Sequence, residues 1–157
     1  MMLVLSDKTL AGLRTEARAA APAECCGLLA GHVTAGRIIV SARHAVPNDD
    51  RDRYHIPPAT FVDVERAARA EGHGVCGVYH SHPAGAALPS EIDRDAAWPG
   101  LVYLIIAGDD VRAWRLTDER RFAEVPIVLH DDDGTGAPEI TPAAVAPPPD
   151  TRVTPCP

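Results

Sequence analysis

Lysine is almost absent from this chain. Lys8 is the only one among 15 basic side chains, set against 22 acidic ones for a net charge of -7. No basic cluster stands out against that balance, so a surface that tracks phosphates is excluded and nucleic acid is not an expected partner. Long apolar runs are missing too: the longest, residues 101–107, is too short to span a bilayer, which excludes a membrane segment of the helical kind. The opening residues, Met1 to Leu5, lack the basic region and the apolar length of a signal peptide before Asp7, so the expected compartment is the cytoplasm. Cysteine is scarce and badly spaced for cross-linking. Cys25 and Cys26 are adjacent, Cys76 and Cys156 stand far apart, and no CxxC occurs, which argues against a disulfide framework, a thiolate zinc ribbon and a thioredoxin-type redox site. HExxH, HxHxDH and HxE with a later PCxxC are absent, so the zincin, metallo-β-lactamase and deaminase readings lose their motifs.

What is present is enough for one folded domain. A chain of 157 residues that is 46% hydrophobic can bury a core of its own, and the expected division is a folded domain over residues 1–130 and a tail over 131–157. The tail is rich in proline and alanine, has five acids against one base, and is expected to be disordered. Within the domain, Ser6 can cap a helix whose apolar positions Leu10, Leu13, Ala17 and Ala21 recur at helical spacing until Pro22. Residues 28–30 and 37–46 read as a strand pair connected through Gly31 and Gly36. Pro57-Pro58 opens a second helix that ends near Gly72, with Phe61, Val64 and Ala68 on one side. A buried strand over 75–79, a short helix over 90–98 and strands over 101–107, 111–116 and 122–129 complete an α/β architecture: a mixed sheet flanked by helices.

The chemistry concentrates in His80-Ser81-His82-Pro83, followed after Pro89 by Ser90-Glu91-Ile92-Asp93. Residues i and i+2 of an extended segment share a side, so His80 and His82 can turn both imidazoles toward one ion. Asp93 falls in the first turn of the short helix, and the loop before it is long enough to bring that turn back over the histidines. Two imidazoles and one carboxylate leave a fourth tetrahedral position for water, the pattern of a catalytic zinc site rather than a closed structural one. Ser90-x-x-Asp93 is equally a helix-capping pattern, and an isolated HxH is more often not a ligand pair; the full HxHx7SxxD spacing tips the reading to metal. Ser81, between the histidines, points to the other face and is assigned to packing or hydrogen bonding.

His80, Ser81, His82, Pro83, Ser90 and Asp93 resemble the signature of the JAMM, or MPN-plus, metalloprotease family, whose pattern is an upstream glutamate followed by HSHPx6SxxD. Pro22-Ala23-Glu24-Cys25-Cys26-Gly27-Leu28-Leu29 is similar to the element around that glutamate in short bacterial members, and the resemblance spans about residues 6–128. It implies a JAMM/MPN fold with deaminase-like layering and one Zn2+ per chain held by His80, His82 and Asp93. Glu24 would be the general acid/base that activates the zinc-bound water and returns the proton to the leaving amine, and Ser90 would donate its hydroxyl to the oxyanion. The implied activity is a zinc-dependent peptidase or isopeptidase that cuts after the C-terminal Gly-Gly of a ubiquitin-like sulfur-carrier protein.

Two other functions compete with it. A non-catalytic MPN-type scaffold is one, although such domains typically lack the ligands that are all present here; a small-molecule zinc hydrolase is the other. The remaining residues promise less. Cys25, Cys26 and Cys76 read as small buried hydrophobes, and Trp98 and Trp114 as core. His32, His44, His55, His73 and His130 show no ligand spacing and read as surface or loop residues. Asn48 is expected to shape the rim of the site through an Asx-turn.

Overall fold

A computed structural model describes residues 1–50 and 53–131. The tail expected over 131–157 therefore lies, beyond Asp131, outside the described residues. Those described form three helices and one eight-stranded mixed sheet in the strand order β7-β6-β5-β4-β2-β3-β1-β8. The strands are β1 (Met2–Ser6), β2 (Cys26–Thr34), β3 (Arg37–Val46), β4 (Gly74–Ser81), β5 (Val102–Ala107), β6 (Asp110–Leu116), β7 (Phe122–Val125) and β8 (Ile127–His130). The helices are α1 (Asp7–Ala20), α2 (Pro58–Ala70) and α3 (Glu91–Ala96). No helix among the described residues is long and apolar enough to cross a membrane.

Local chemistry explains the helix ends. Ser6 Oγ accepts the Thr9 N–H at 3.1 Å and starts α1. Pro58 occupies the first turn of α2, where its missing N–H costs nothing, and Gly72, at φ +80°, follows that helix in the left-handed region.

Two expectations about strands need correction. Met2–Ser6 is a strand, paired in parallel with both β3 and β8, where no element was expected. The single strand expected over 122–129 is two strands on opposite edges of the sheet: β7 pairs with β6, and β8 pairs with β1. Pro126 is the cause. Proline cannot donate a ladder hydrogen bond, so pairing with one neighbour ends there, while its carbonyl accepts the Leu3 N–H at 2.9 Å on the other side. Because one residue links the two edge strands, the sheet curls until its edges approach each other.

α1 packs one face on the inner side of the curl. Leu13 of that helix is fully buried among Leu3, Leu29, Ile38, Tyr79, Leu104 and Ala113, drawn from six strands. On the outer face, α2 packs Phe61 against a second cluster that contains Leu28, Val75, Val78 and Tyr103. The period of two assigns neighbours to opposite faces: Leu28 faces out and Leu29 in, Val78 out and Tyr79 in. His80 therefore emerges on the outer face. Gly27 makes room for this arrangement, since a Cβ there would lie 2.4 Å from the Tyr79 hydroxyl and 2.3 Å from the His44 carbonyl oxygen. The Tyr79 hydroxyl crosses β2 at that point and donates to Glu16 Oε1 of α1 at 2.8 Å.

Candidate metal centre and its surroundings

β4 runs between antiparallel β2 and parallel β5, and its last residues carry the histidines. His80 is paired with Cys26 on one side and Ile105 on the other and is fully buried. His82 lies one residue past the strand, where its N–H donates to the Ile106 carbonyl at 2.8 Å and prolongs the extended geometry. The loop after it folds back, with the buried Ala87 held by the Trp114 indole N–H to its carbonyl at 3.0 Å. That return sets Ser90 as the N-cap of α3.

Ser90 and Asp93 form a complete capping box. Ser90 Oγ accepts the Asp93 N–H at 3.1 Å and Asp93 Oδ2 accepts the Ser90 N–H at 2.7 Å. Capping does not turn the Asp93 carboxylate away from the histidines, which it also faces. His80 Nε2 stands 3.3 Å from Oδ1, His82 Nε2 stands 3.5 Å from Oδ2, and the two Nε2 atoms are 3.0 Å apart.

These separations bear on whether a metal fits. Ligand atoms bound to one tetrahedral ion at bonds of about 2.0–2.1 Å lie roughly 3.3 Å from each other. His82 Nδ1 lies 2.9 Å from the Ala86 carbonyl oxygen, an acceptor only, so Nδ1 carries a proton and Nε2 is the nitrogen left to face the cluster. Two imidazole nitrogens and a carboxylate oxygen aimed at one point are a donor set for a cation, and these three residues could hold a metal ion.

Electrostatics follow from burial and pairing. Burial pushes the His80 imidazole below its ordinary value in spite of Asp93. His82, less buried and hydrogen-bonded to Asp93, titrates above it. Burial also opposes ionisation of Asp93, but the hydrogen bonds from His80 and His82 win and hold its carboxyl well below the usual carboxylate range.

Glu24 lies two residues ahead of β2. Extending the pairing of Cys26 with His80 by two residues sets it opposite His82. Ser81 secures the approach: its N–H donates to the Cys25 carbonyl at 3.0 Å and its Oγ accepts the Cys25 N–H at 2.9 Å. The hydrogen-bonding assignment made for Ser81 is what the fold uses. The Glu24 carboxyl is raised above its ordinary value, chiefly by burial, with the Asp93 charge adding to the shift and His82 and the Tyr54 N–H opposing it.

The segment between β3 and α2 closes the site from the side. The Tyr54 ring stacks on His80 with centroids 4.3 Å apart and planes 20° from parallel, a contact that no spacing in the sequence announces. Asn48 is at the rim as expected, but not through an Asx-turn. Its Nδ2 donates to the carbonyls of Glu24, Asp50 and Arg53 at 3.1, 3.1 and 3.2 Å.

Elsewhere, Cys25, Cys26 and Cys76 are buried free thiols, and burial raises all three. Cys156 lies outside the described residues. Trp98 and Trp114 are only partly buried, packed on the outer cluster. His32 and His73 depart from the expectation of unconnected surface residues: they meet, with His73 Nδ1 and His32 Nε2 2.9 Å apart.

Together the fold and the site define a JAB/MPN-type domain. The chain belongs to the prokaryotic homologs of the JAB domain, whose family model matches residues 6–117. It is 40% identical over 107 residues to the desampylase of Haloferax volcanii, covering 66% of this chain and 76% of that one. It is 35% identical over 122 residues to a probable TtuB-protein conjugate cleaving protease of Thermus thermophilus, covering 73% and 78%. Among solved structures, a protein from Desulfitobacterium hafniense superposes with a TM-score of 0.75 at 28% identity, covering 83% of this chain and 94% of the other. A JAB1/MPN domain protein from Archaeoglobus fulgidus shares the fold at a TM-score of 0.52 and 18% identity, over 82% and 99% of the two chains.

Proposed function

We propose that this chain is a JAB-type zinc metallopeptidase that frees ubiquitin-like proteins from their conjugates by hydrolysing the bond after the terminal Gly-Gly. The observation that carries the reading is the convergence of His80, His82 and Asp93 within ligand distance of one another, with Glu24 beside them. A scaffold has no use for an open donor set of this kind. The names of the relatives, a desampylase and a TtuB-conjugate protease, support conjugates of ubiquitin-like proteins as the substrate class.

Zinc held by His80 Nε2, His82 Nε2 and an Asp93 carboxylate oxygen would supply a Lewis acid that acidifies water and polarises the scissile carbonyl. Glu24 takes the proton of the attacking water on its carboxylate and delivers it to the leaving amine. Its raised carboxyl pKa suits a group that must hold a proton and then release it. Ser90 contributes through its hydroxyl. Because Oγ accepts the Asp93 N–H and the residue is exposed, the hydroxyl hydrogen is left to donate to the oxygen on which charge develops. Ala86, by accepting the His82 Nδ1 proton, keeps that imidazole oriented.

Within this class, the short connections over 47–57 and 83–89 favour a slender tail over a second bulky domain. A small sulfur-carrier protein ending in Gly-Gly meets that requirement, since its backbone can pair as an added strand and its glycines pass the metal without side chains. The test is to incubate the zinc-loaded protein with sulfur-carrier proteins extended by one residue, or joined to a lysine, and to weigh the carrier. Release of a carrier ending in Gly-Gly is the expected result. Cleavage of a lysine-linked ubiquitin dimer with no trimming of any carrier would discard the sulfur-carrier reading and keep the peptidase. No cleavage of either by zinc-loaded protein would favour the scaffold.

A further inference from the structure

Glu24 lies ahead of the β2 ladder, so the sheet does not itself fix the residue that the proposed reaction asks to carry a proton. Its main chain is nevertheless held from the side: its carbonyl accepts the Asn48 Nδ2 hydrogen at 3.1 Å. The same Nδ2 reaches the carbonyls of Asp50 and Arg53 at 3.1 and 3.2 Å, so Asn48 joins Glu24 to the stretch that leads to Tyr54, whose ring stacks on His80.

Three carbonyl oxygens converging on one point need a donor between them, and a neutral primary amide supplies two N–H groups without leaving a charge there. The other half of the amide gains little: Asn48 Oδ1 is buried without a partner among the described residues. An asparagine kept with its acceptor unsatisfied is held for its donor half. Shape alone would be met by aspartate, which would turn a fourth acceptor on the three carbonyls.

We propose that Asn48 is a positioning residue for Glu24: its carboxamide ties the Glu24 main chain to the carbonyls of Asp50 and Arg53 and so fixes where the Glu24 side chain leaves the backbone, opposite His82. It touches neither water nor substrate and acts only through Glu24. The inference rests on the proposed role of Glu24.

The experiment is a double-mutant cycle on the zinc-loaded full chain, measured at steady state with an extended carrier in excess over enzyme. Asn48→Ala should lower kcat by about 10-fold to 10²-fold, as a misplaced proton carrier does, with KM unchanged and one zinc retained per chain. Asn48→Asp should lose at least as much, whereas Asn48→Ser, which keeps one donor, should fall between Asn48→Ala and the parent. If Asn48→Ala does not fold, Asn48→Ser carries the same comparison. In the Glu24→Gln background the Asn48 substitution should change the residual rate by less than about twofold, since the group it positions has lost its function. Multiplying losses, or a raised KM with kcat intact, would overturn the inference. If Glu24→Gln is inactive while every Asn48 variant keeps the parent kcat, this inference alone fails. If Glu24→Gln itself is fully active, the proposed role of Glu24 fails first, and this inference with it.

Discussion

Two histidine pairs sit at opposite ends of the β2–β4 ladder, and their nitrogens meet at almost the same distance. His80 and His82 stand 3.0 Å apart at Nε2, and His32 and His73 stand 2.9 Å apart from Nε2 to Nδ1. Only the first pair has the rest of a centre around it. Asp93 adds a carboxylate, Ala86 orients one ring, Tyr54 stacks on the other, and Ser90 locks the carboxylate by capping. A buried Nδ1 without a partner among the described residues is common to both pairs, at His80 and at His32, but at the second pair no carboxylate joins the group within ligand reach among the described residues. Two imidazoles in contact are thus satisfied by sharing one proton; a third donor and oriented lone pairs are what suit a site to a cation.

The comparison is broken most severely by removing a ligand. His82→Ala should lose bound zinc and reduce cleavage to background, whereas the double substitution His32→Ala and His73→Ala should keep one zinc per chain and near-parental turnover. Metal analysis of both proteins after purification, set beside their rates, checks this. Equal loss in both would show that the pairs are not different in kind.

Glu24→Gln comes next. It should keep the zinc and the fold and lower turnover by about 10²-fold or more, because only the proton carrier is removed. Ser90→Ala should cost about 10²-fold in kcat through the lost oxyanion donor. It also removes the α3 cap, so its melting temperature should drop where that of Glu24→Gln does not.

How far these residues are legible in the sequence depends on how local their partners are. His80, His82, Ser90 and Asp93 are readable because a strand period and a capping box, both short-range rules, place them. Glu24 is visible only through the family pattern, since what brings it to His82 is the pairing of β2 with β4 across more than 50 residues. Tyr54 and the donor role of Asn48 leave no periodic trace, because they act through stacking and through main-chain carbonyls. The meeting of His32 and His73, 41 residues apart, is again a matter of register. At 122–129 the local signal was there in Pro126, yet an apolar run on both sides of it reads as one strand until the curl of the sheet is known.

A smaller effect sharpens the contrast from the side of the second pair. His32 titrates below its ordinary value, mainly through burial and further through His73. The unfolded chain then binds more protons than the folded one as pH falls through about 6.5, so His32 takes stability away toward acid and restores it as pH rises. Urea melts of His32→Gln should show a weaker loss of stability between neutral and mildly acidic pH than the parent. An unchanged slope would mean that burial does not hold the His32 imidazole below its ordinary value. The smallest effect is expected from deleting residues 132–157, since among the described residues the sheet is already complete from β7 to β8; melting temperature and turnover should stay near parental, and a large drop in either would assign the segment a part in the fold.

The most direct test is a crystal of the zinc-loaded protein with diffraction recorded on both sides of the zinc absorption edge. The account predicts one anomalous peak, lying among His80 Nε2, His82 Nε2 and the Asp93 carboxylate, and none between His32 and His73. A peak at the second pair, or none at the first in protein that cleaves conjugates, would contradict it.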